Sequence, residues 1–220
     1  GADTIRAYLM FVAPWEHGGE WNDSDISGIS RWYNRIWSLV LERYHQNEPI
    51  EPDIAEKTKR ALSRVTHQTI KRVSGDLEKL HFNTMLATLM EFTNYLAKVK
   101  EAQIIGYSQW EESINILLRL LAPTAPHLTE ELWQQTGREY SIHNQNWPVW
   151  DEALAKDEEI TLVIQVNGKL RDRITVPAAI SEAEARQLVL ASQRVKSCLD
   201  NRKVAKIIYV PGKLFNLVVR

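Results

Sequence analysis

The 220-residue sequence is poor in the features that characterise membrane, secreted and disulfide-stabilised proteins. It contains a single cysteine, Cys198, so an internal disulfide is excluded, and such usage is typical of proteins kept in a reducing cytosol. No apolar run approaches the length that crosses a bilayer, and the chain does not open with a charged and then apolar leader. We therefore expect a cytoplasmic protein that contacts no membrane.

Patterns that bind nucleotides or metals are also missing. There is no GxGxxG and no complete Walker loop, and the isolated dipeptides Gly168-Lys169 and Gly212-Lys213 indicate turns. The six histidines are scattered without a pair at i,i+4, which together with the single cysteine argues against a zinc site. No GxSxG elbow or local Cys–His pairing occurs. The sequence thus predicts no catalytic residues, no metal and no cofactor in this chain.

What the sequence does have is an uneven distribution of charge. Residues 1–159 carry 16 Lys and Arg against 24 Asp and Glu, a net of −8, while residues 160–220 carry 11 against 4, a net of +7. A small basic module attached to an acidic body indicates a polyanionic partner. A solvated basic surface without a partner is the alternative.

Apolar residues in the first 150 residues repeat at helical spacing. Asn83 is the predicted N-cap of the fourth helix and Gly137 the predicted C-cap of the sixth. Long amphipathic helices joined by short loops predict an antiparallel bundle. The six predicted helices cover approximately residues 2–12, 24–43, 53–80, 83–96, 108–121 and 127–137.

The third predicted helix has two chemically different faces. At 100° per residue, its apolar residues fall on one side. The opposite side is a basic stripe of about four turns, with His67 close to it. A solvated face is the ordinary explanation of such a stripe, and contact with RNA is the other. The members of this stripe are Lys57, Arg60, Arg64 and Lys71.

After Pro148 the apolar period changes to 2, which predicts strands. Strands over 160–166 and 169–176 flank Asn167-Gly168, the strongest short hairpin signal. In the second strand, alternation puts Lys169, Arg171 and Arg173 on one face and apolar residues on the other.

A capping box of Ser181 and Glu184 then predicts a helix to about Ser197, followed by strands over 206–210 and 214–219. The predicted order is ββαββ. The fold class is therefore mainly α: a helical bundle over residues 1–150, a linker over the acidic stretch 151–159, and a small α+β domain over 160–220.

Several motifs resemble class I aminoacyl-tRNA synthetases. Residues 1–11 are similar to the segment just after the KMSKS loop, and residues 21–37 continue that likeness in leucine-enzyme form. Residues 82–91 and 120–133 resemble the anticodon-binding bundle shared by the leucine, isoleucine, valine and methionine enzymes. The stretches 165–177 and 206–214 resemble the extreme C-terminal domain of bacterial leucyl-tRNA synthetases. The resemblance covers nearly the whole chain in the right order.

This resemblance implies a C-terminal fragment whose ATP site, leucine pocket and editing domain lie upstream of Gly1. The full-length enzyme would use ATP and Mg to attach leucine to its tRNA, and the fragment itself is expected to be inactive. Residues 1–25 would connect it to the catalytic domain of the same polypeptide, in a monomer. The bundle is expected to pack along the tRNA body without reading the anticodon, and the small domain to dock at the corner where the D and T loops meet.

The candidate RNA contacts rest on charge, because phosphates bind Lys and Arg. A stand-alone RNA-binding module and a structural helical scaffold for a protein partner are the two alternatives. The candidates are Lys169, Arg171 and Arg173 on the hairpin, Lys196, Arg202, Lys203, Lys206 and Lys213 elsewhere in the small domain, and Lys57, Arg60, Arg64 and Lys71 on the third helix.

Overall fold

Helices with one apolar face build the first part of the protein, Gly1–Lys156, and confirm the predicted bundle. The structure, a computed structural model, describes residues 1–14, 16–41, 52–101, 107–157, 159–199 and 204–219. The second compact unit is Asp157–Arg220. The division falls inside the stretch predicted as a linker. In the first unit the helices are α1 (Ala2–Phe11), α2 (Asp23–Leu41), α3 (Pro52–Glu78), α4 (Phe82–Lys100), α5 (Ser108–Leu121) and α6 (Pro126–Gln135), with a 3-10 turn over Ile142–Asn144.

The core of the bundle forms where the apolar stripes of these helices meet. On α3, the predicted apolar face is confirmed, because Leu62, Ile70 and Val73 are completely buried. Trp32 of α2 is also buried, and its indole Nε1 donates to Thr93 Oγ1 of α4 at 3.1 Å. Pairing of this buried donor matters, since an unpaired one would cost about 1 to 3 kcal/mol.

The turn between α3 and α4 differs from the prediction. Leu80 adopts a left-handed φ of 58°, and the His81 amide donates to Asp76 O at 2.8 Å. This closure of α3 lets α4 begin at Phe82, so Asn83 lies in the first turn and is not the N-cap. Only three residues join the two helices, which makes them antiparallel neighbours. No helix in the described ranges is long and apolar enough to cross a membrane.

One buried carboxylate ties α1 to α6. Asp3 accepts hydrogen bonds from His127 Nδ1 (2.8 Å), the Leu128 amide (2.8 Å) and the Arg6 guanidinium (2.7 Å). Burial alone would raise the pKa of Asp3, but the bonds from His127 and from the Leu128 amide outweigh it and hold that pKa below its ordinary value. Leu128 lies in the first turn of α6, where a negative charge is also favoured by the helix dipole.

The second unit is a four-stranded sheet with two helices, which confirms the predicted α+β class. Its strands run in the order β2-β1-β4-β3, with β1 and β4 parallel and the other pairs antiparallel. Asn167 and Gly168 both have positive φ (51° and 77°), as a tight hairpin turn with the twist of its strands requires. The elements are β1 (Glu159–Val166), β2 (Lys169–Pro177), α7 (Glu182–Ala191), α8 (Gln193–Leu199), β3 (Val204–Val210) and β4 (Leu214–Val219).

The helical part of this unit begins as predicted and then breaks. The capping box of Ser181 and Glu184 is present. Ser192, however, adopts an extended ψ of 128°, and its hydroxyl donates to Asp172 Oδ2 at 2.6 Å. This bond to the sheet splits the predicted single helix into α7 and α8, and α8 then places Val195 in the core. The order is therefore ββααββ.

Candidate nucleic-acid interface

The basic stripe on α3 keeps three of its four cations exposed, Lys71 among them. The side chains of Lys57 and Arg60 are exposed, and Arg64 is half-buried. Beyond Arg64, another part of the first unit contacts α3 beside the exposed Lys71. His67, predicted to lie beside the stripe, is buried.

Residues 147–156, which we call the crossing segment, contact α3 along the second half of the stripe. The Asp151 amide donates to His67 Nδ1 at 3.0 Å, and Gln68 Nε2 donates to Ala155 O at 2.9 Å. Lys71 Nζ contacts the carboxylate of Glu152 at 2.8 Å. Lys71 therefore stays exposed, and Glu152 supplies it with a counter-charge in an ion pair that is open to solvent.

Sequence reasoning missed this contact because it interpreted the acidic stretch 151–159 as a linker. The available signal was the pair of tryptophans just before it. Trp147 and Trp150 pack against the bundle core, and Trp147 Nε1 donates to Ser74 Oγ of α3 at 2.8 Å. Large amphipathic rings beside a proline are better anchors than linker residues, because burying them contributes far more than an exposed linker could.

The hairpin of the second unit also differs from the prediction. Gln165 pairs with Leu170, but the next residue of β1, Ile164, pairs with Asp172. Arg171 has no partner of its own and is the extra residue of a β-bulge. Lys169 pairs with Val166, whereas Arg173 pairs with Val163. Positions 163 and 166 point to opposite faces of β1.

The prediction that Lys169, Arg171 and Arg173 share one face is therefore wrong. A one-residue bulge shifts the side-chain alternation of every residue beyond it. Lys169 lies on the side covered by the helices, Arg173 lies on the other side, and Arg171 lies at the bulge between them.

The bulge coincides with an inward-facing carboxylate. Asp172 accepts hydrogen bonds from Ser192 Oγ at 2.6 Å and from the Arg194 guanidinium at 3.2 Å. The Ser192 bond, and after it the Arg173 amide, hold the pKa of Asp172 below its ordinary value. A strict alternation would have placed Asp172 among the apolar positions of β2, and its helix-side partners make that position favourable.

The remaining candidates are distributed around the second unit. Lys206 is exposed on β3 opposite Val218, and Lys213 is exposed in the turn between β3 and β4. Lys196 is exposed on α8, on the helix side of the sheet. Arg202 and Lys203 lie outside the described residues. Within the described ranges, no three His, Cys, Asp or Glu side chains come together as a metal site would require.

Comparison with known protein families gives one match that covers more than half of the chain. A family model described as "Anticodon-binding domain of tRNA ligase" matches residues 59–186. That range begins inside α3 and includes α4 to α6, the crossing segment, the first hairpin of the second unit and the first turn of α7.

Curated relatives align with the whole chain. Leucine–tRNA ligases of Dehalococcoides mccartyi, Rubrobacter xylanophilus and Deinococcus radiodurans are 55%, 47% and 40% identical to it. Each alignment covers 100% of this chain and 26% of the relative, so the chain spans about a quarter of their length. A solved chain is also similar, at a TM-score of 0.82 and 33% identity over 100% of this chain and 28% of that one. Its structure is described as the ternary complex of Agrobacterium radiobacter agnB2 LeuRS, tRNA and LeuAMS.

Proposed function

Because the chain belongs to the anticodon-binding domain family of tRNA ligases, we propose that it is the tRNA-contacting, C-terminal part of a leucine–tRNA ligase. The observation that carries this proposal is the alignment of leucine enzymes along the complete chain, at up to 55% identity. These alignments include the whole of the small unit, whereas the family model ends inside that unit, at residue 186. Bundles of this type occur in several tRNA ligases, so the small unit is what points to leucine.

The activity of the whole protein would be the attachment of leucine to its tRNA. ATP with Mg would supply the activation of leucine, in the part of the protein that this chain does not include. The role we propose for this chain is to hold the tRNA: the bundle along its body and the small unit at the corner formed by the D and T loops. Both tasks require recognition of shape and backbone, for which exposed Lys and Arg are the suitable side chains.

The charges on the surface support this role at two places. On α3, Lys57 and Arg60 remain exposed where the crossing segment does not reach. In the second unit the net charge over residues 160–220 is +7. An exposed cation near a phosphate gains from the release of counterions, so several such contacts together give measurable and salt-dependent affinity.

The test is a fluorescence-anisotropy titration of the 220-residue chain with a leucine tRNA transcript at several salt concentrations. We expect log affinity to fall linearly with log salt, and each phosphate contact to contribute roughly 0.7 to 0.9 to the slope. A polyuridine strand with the same number of phosphates is the matched control for shape. Folded tRNA should bind more tightly than this strand.

The other outcomes separate the alternatives. Equal affinity for tRNA and polyuridine would indicate an RNA-binding module without shape recognition. Binding to neither RNA would contradict the proposal and favour a scaffold for a protein partner. These two results are distinguishable in the same titration, because the polyuridine arm measures the purely electrostatic part of the affinity.

A further inference from the structure

One face of the sheet in the second unit is not covered by α7 or α8. The register across the four strands places its side chains in two rows. In each row the order follows the strands β2, β1, β4 and β3. We call these eight positions the open face: Leu170, Gln165, Asn216 and Ile208 in the first row, and Arg173, Val163, Leu214 and Val210 in the second.

The open face is unusually apolar for a surface that the unit leaves uncovered. Leu170, Ile208 and Val210 are 50%, 39% and 39% exposed. They are three of the four large exposed hydrophobic side chains in the described part of this unit, the fourth being Leu188 on α7. Ile208 and Val210 adjoin Leu214 and Val163 in one contiguous apolar group, whereas Leu170 lies at the other edge, beyond Gln165 and Asn216. Scattered apolar residues on a surface need no explanation, but such a contiguous group on one face indicates a contact surface.

Most acidic side chains of the unit's strands and helices lie on its helix side. These are Asp172, Glu182 and Glu184, whereas Glu159, the first residue of β1, shares the face of Val163 and lies four residues before it. Arg173 is part of the open face, and Lys206 adjoins its first row on β3. An apolar surface bordered by cations, with no carboxylate in either of its two rows, is complementary to a polyanion that also offers flat apolar groups.

We propose that the open face is the surface through which the second unit contacts RNA, a proposal that rests on the proposed function. The apolar group of Val163, Leu214, Val210 and Ile208 lies against the face of a nucleobase that is not stacked in a helix. Arg173 and Lys206 bind the phosphates on either side. Adjacent strands are about 4.8 Å apart, so the four strands form a platform roughly 14 Å wide. That width is sufficient for the flat face of a base with its sugar and phosphate at the rim.

Charge reversals on the two sides of the sheet test the assignment. Arg173→Glu and Lys206→Glu change the open face, and Arg186→Glu makes the same change of charge on the exposed surface of α7. In tRNA titrations of the full chain at several salt concentrations, we expect each open-face variant to lower the salt slope by roughly 0.7 to 0.9. Arg186→Glu should leave the slope unchanged and alter affinity only through net charge.

The apolar contact of the open face is tested separately from its charges. Ile208→Thr keeps the β-branched shape that suits a strand but removes apolar contact area, and Leu188→Gln is the matched change on α7. We expect Ile208→Thr to weaken tRNA binding about fivefold to tenfold without changing the salt slope, since no phosphate contact is lost. Leu188→Gln should not weaken it. Far-UV circular dichroism and thermal unfolding of each variant check that the unit stays folded.

The outcomes distinguish this inference from the proposed function. If the unaltered chain binds no tRNA, both fail. If it binds, but Arg173→Glu and Lys206→Glu behave like Arg186→Glu, the open face is not the contact surface while the proposed function stands. A loss of binding in Leu188→Gln with none in Ile208→Thr would assign the contact to the helix side instead.

Discussion

Removal of the Asp3 carboxylate should destabilise the bundle far more than removal of an ordinary helix-terminal acid. Asp3→Ala leaves the Leu128 amide and His127 Nδ1 without the acceptor they have at 2.8 Å, in a place where Asp3 itself is only 7% exposed. An unmade hydrogen bond to a buried group costs about 1 to 3 kcal/mol, and the loss of a charge at the start of α6 adds a few tenths to 1 kcal/mol. We expect a total of about 2 to 4 kcal/mol.

The assay can follow the first unit alone. All eight tryptophans lie at or before residue 150, so tryptophan fluorescence during urea unfolding does not report on the second unit. With a dependence on urea of roughly 2 kcal/mol per molar, the midpoint should fall by about 1 to 2 M. Asp25→Ala, at an exposed position in the first turn of α2, is the matched control and should shift the midpoint by less than about 0.5 M.

The pH dependence gives a second, independent check. The pKa of Asp3 is lowered from its ordinary value of 3.8, so its contribution to stability is complete above that value. The contribution is lost as pH falls through the lower pKa of the folded state. The difference between the parent and Asp3→Asn should therefore be the same at pH 7 and pH 5 and should shrink below about pH 4. A difference that stays constant to pH 2, or an Asp3→Ala cost equal to that of Asp25→Ala, would refute this account of the contact between α1 and α6.

Three further predictions follow from the two units and their chemistry. Trypsin should cut the native chain first at the exposed Lys156, next to the division between the units. Glu-C protease should cut slowly at Glu152, because the crossing segment is hydrogen-bonded to α3. Early cleavage inside α3 would contradict this prediction. ATP–pyrophosphate exchange with leucine should show no turnover above background, since the sequence lacks a nucleotide-binding loop, and robust exchange would disprove the expectation. Gly168→Ala should lower the free energy of unfolding of the second unit by about 1 to 2 kcal/mol, because alanine is strained at a φ of 77°. Cys198, the single cysteine, packs against the core of that unit, so its labelling should begin at lower denaturant concentration. The unfolding transition seen by tryptophan fluorescence should not move.

The sequence was sufficient wherever structure is determined by local chemistry. Helical spacing of apolar residues located the helices of the bundle, Asn167-Gly168 located the hairpin, and the capping box of Ser181 and Glu184 located the start of α7. Each of these signals involves residues within a few positions of one another. Their energies do not depend on which distant segment is packed against them.

The departures all depend on partners far away in the chain. Ser192 breaks a helix that its own neighbours would continue, because it bonds to Asp172, twenty residues earlier. The same carboxylate accompanies the bulge that moves Lys169 and Arg173 to opposite faces. No periodicity count along one strand can include these contacts, since a carboxylate among apolar positions is unfavourable until its partners are known.

The same reasoning explains why charge counts predicted a polyanionic partner but not the surface that would meet it. A net charge counts every carboxylate against every cation. In the folded protein, a carboxylate mainly offsets the positive charges that lie close to it. On α3, Glu152 lies 2.8 Å from Lys71, so the crossing segment offsets the charge at that end of the predicted stripe, while Lys71 itself stays exposed. In the second unit, Asp172 is engaged with Ser192 and Arg194 on the helix side, and Glu184 with Ser181. Within the described strands and helices of that unit, Glu159 is the carboxylate that shares the face of Arg173, and it lies four residues along β1 from Val163, the partner of Arg173. Segregation of charge, more than its sum, determines which face of the small unit attracts a phosphate backbone.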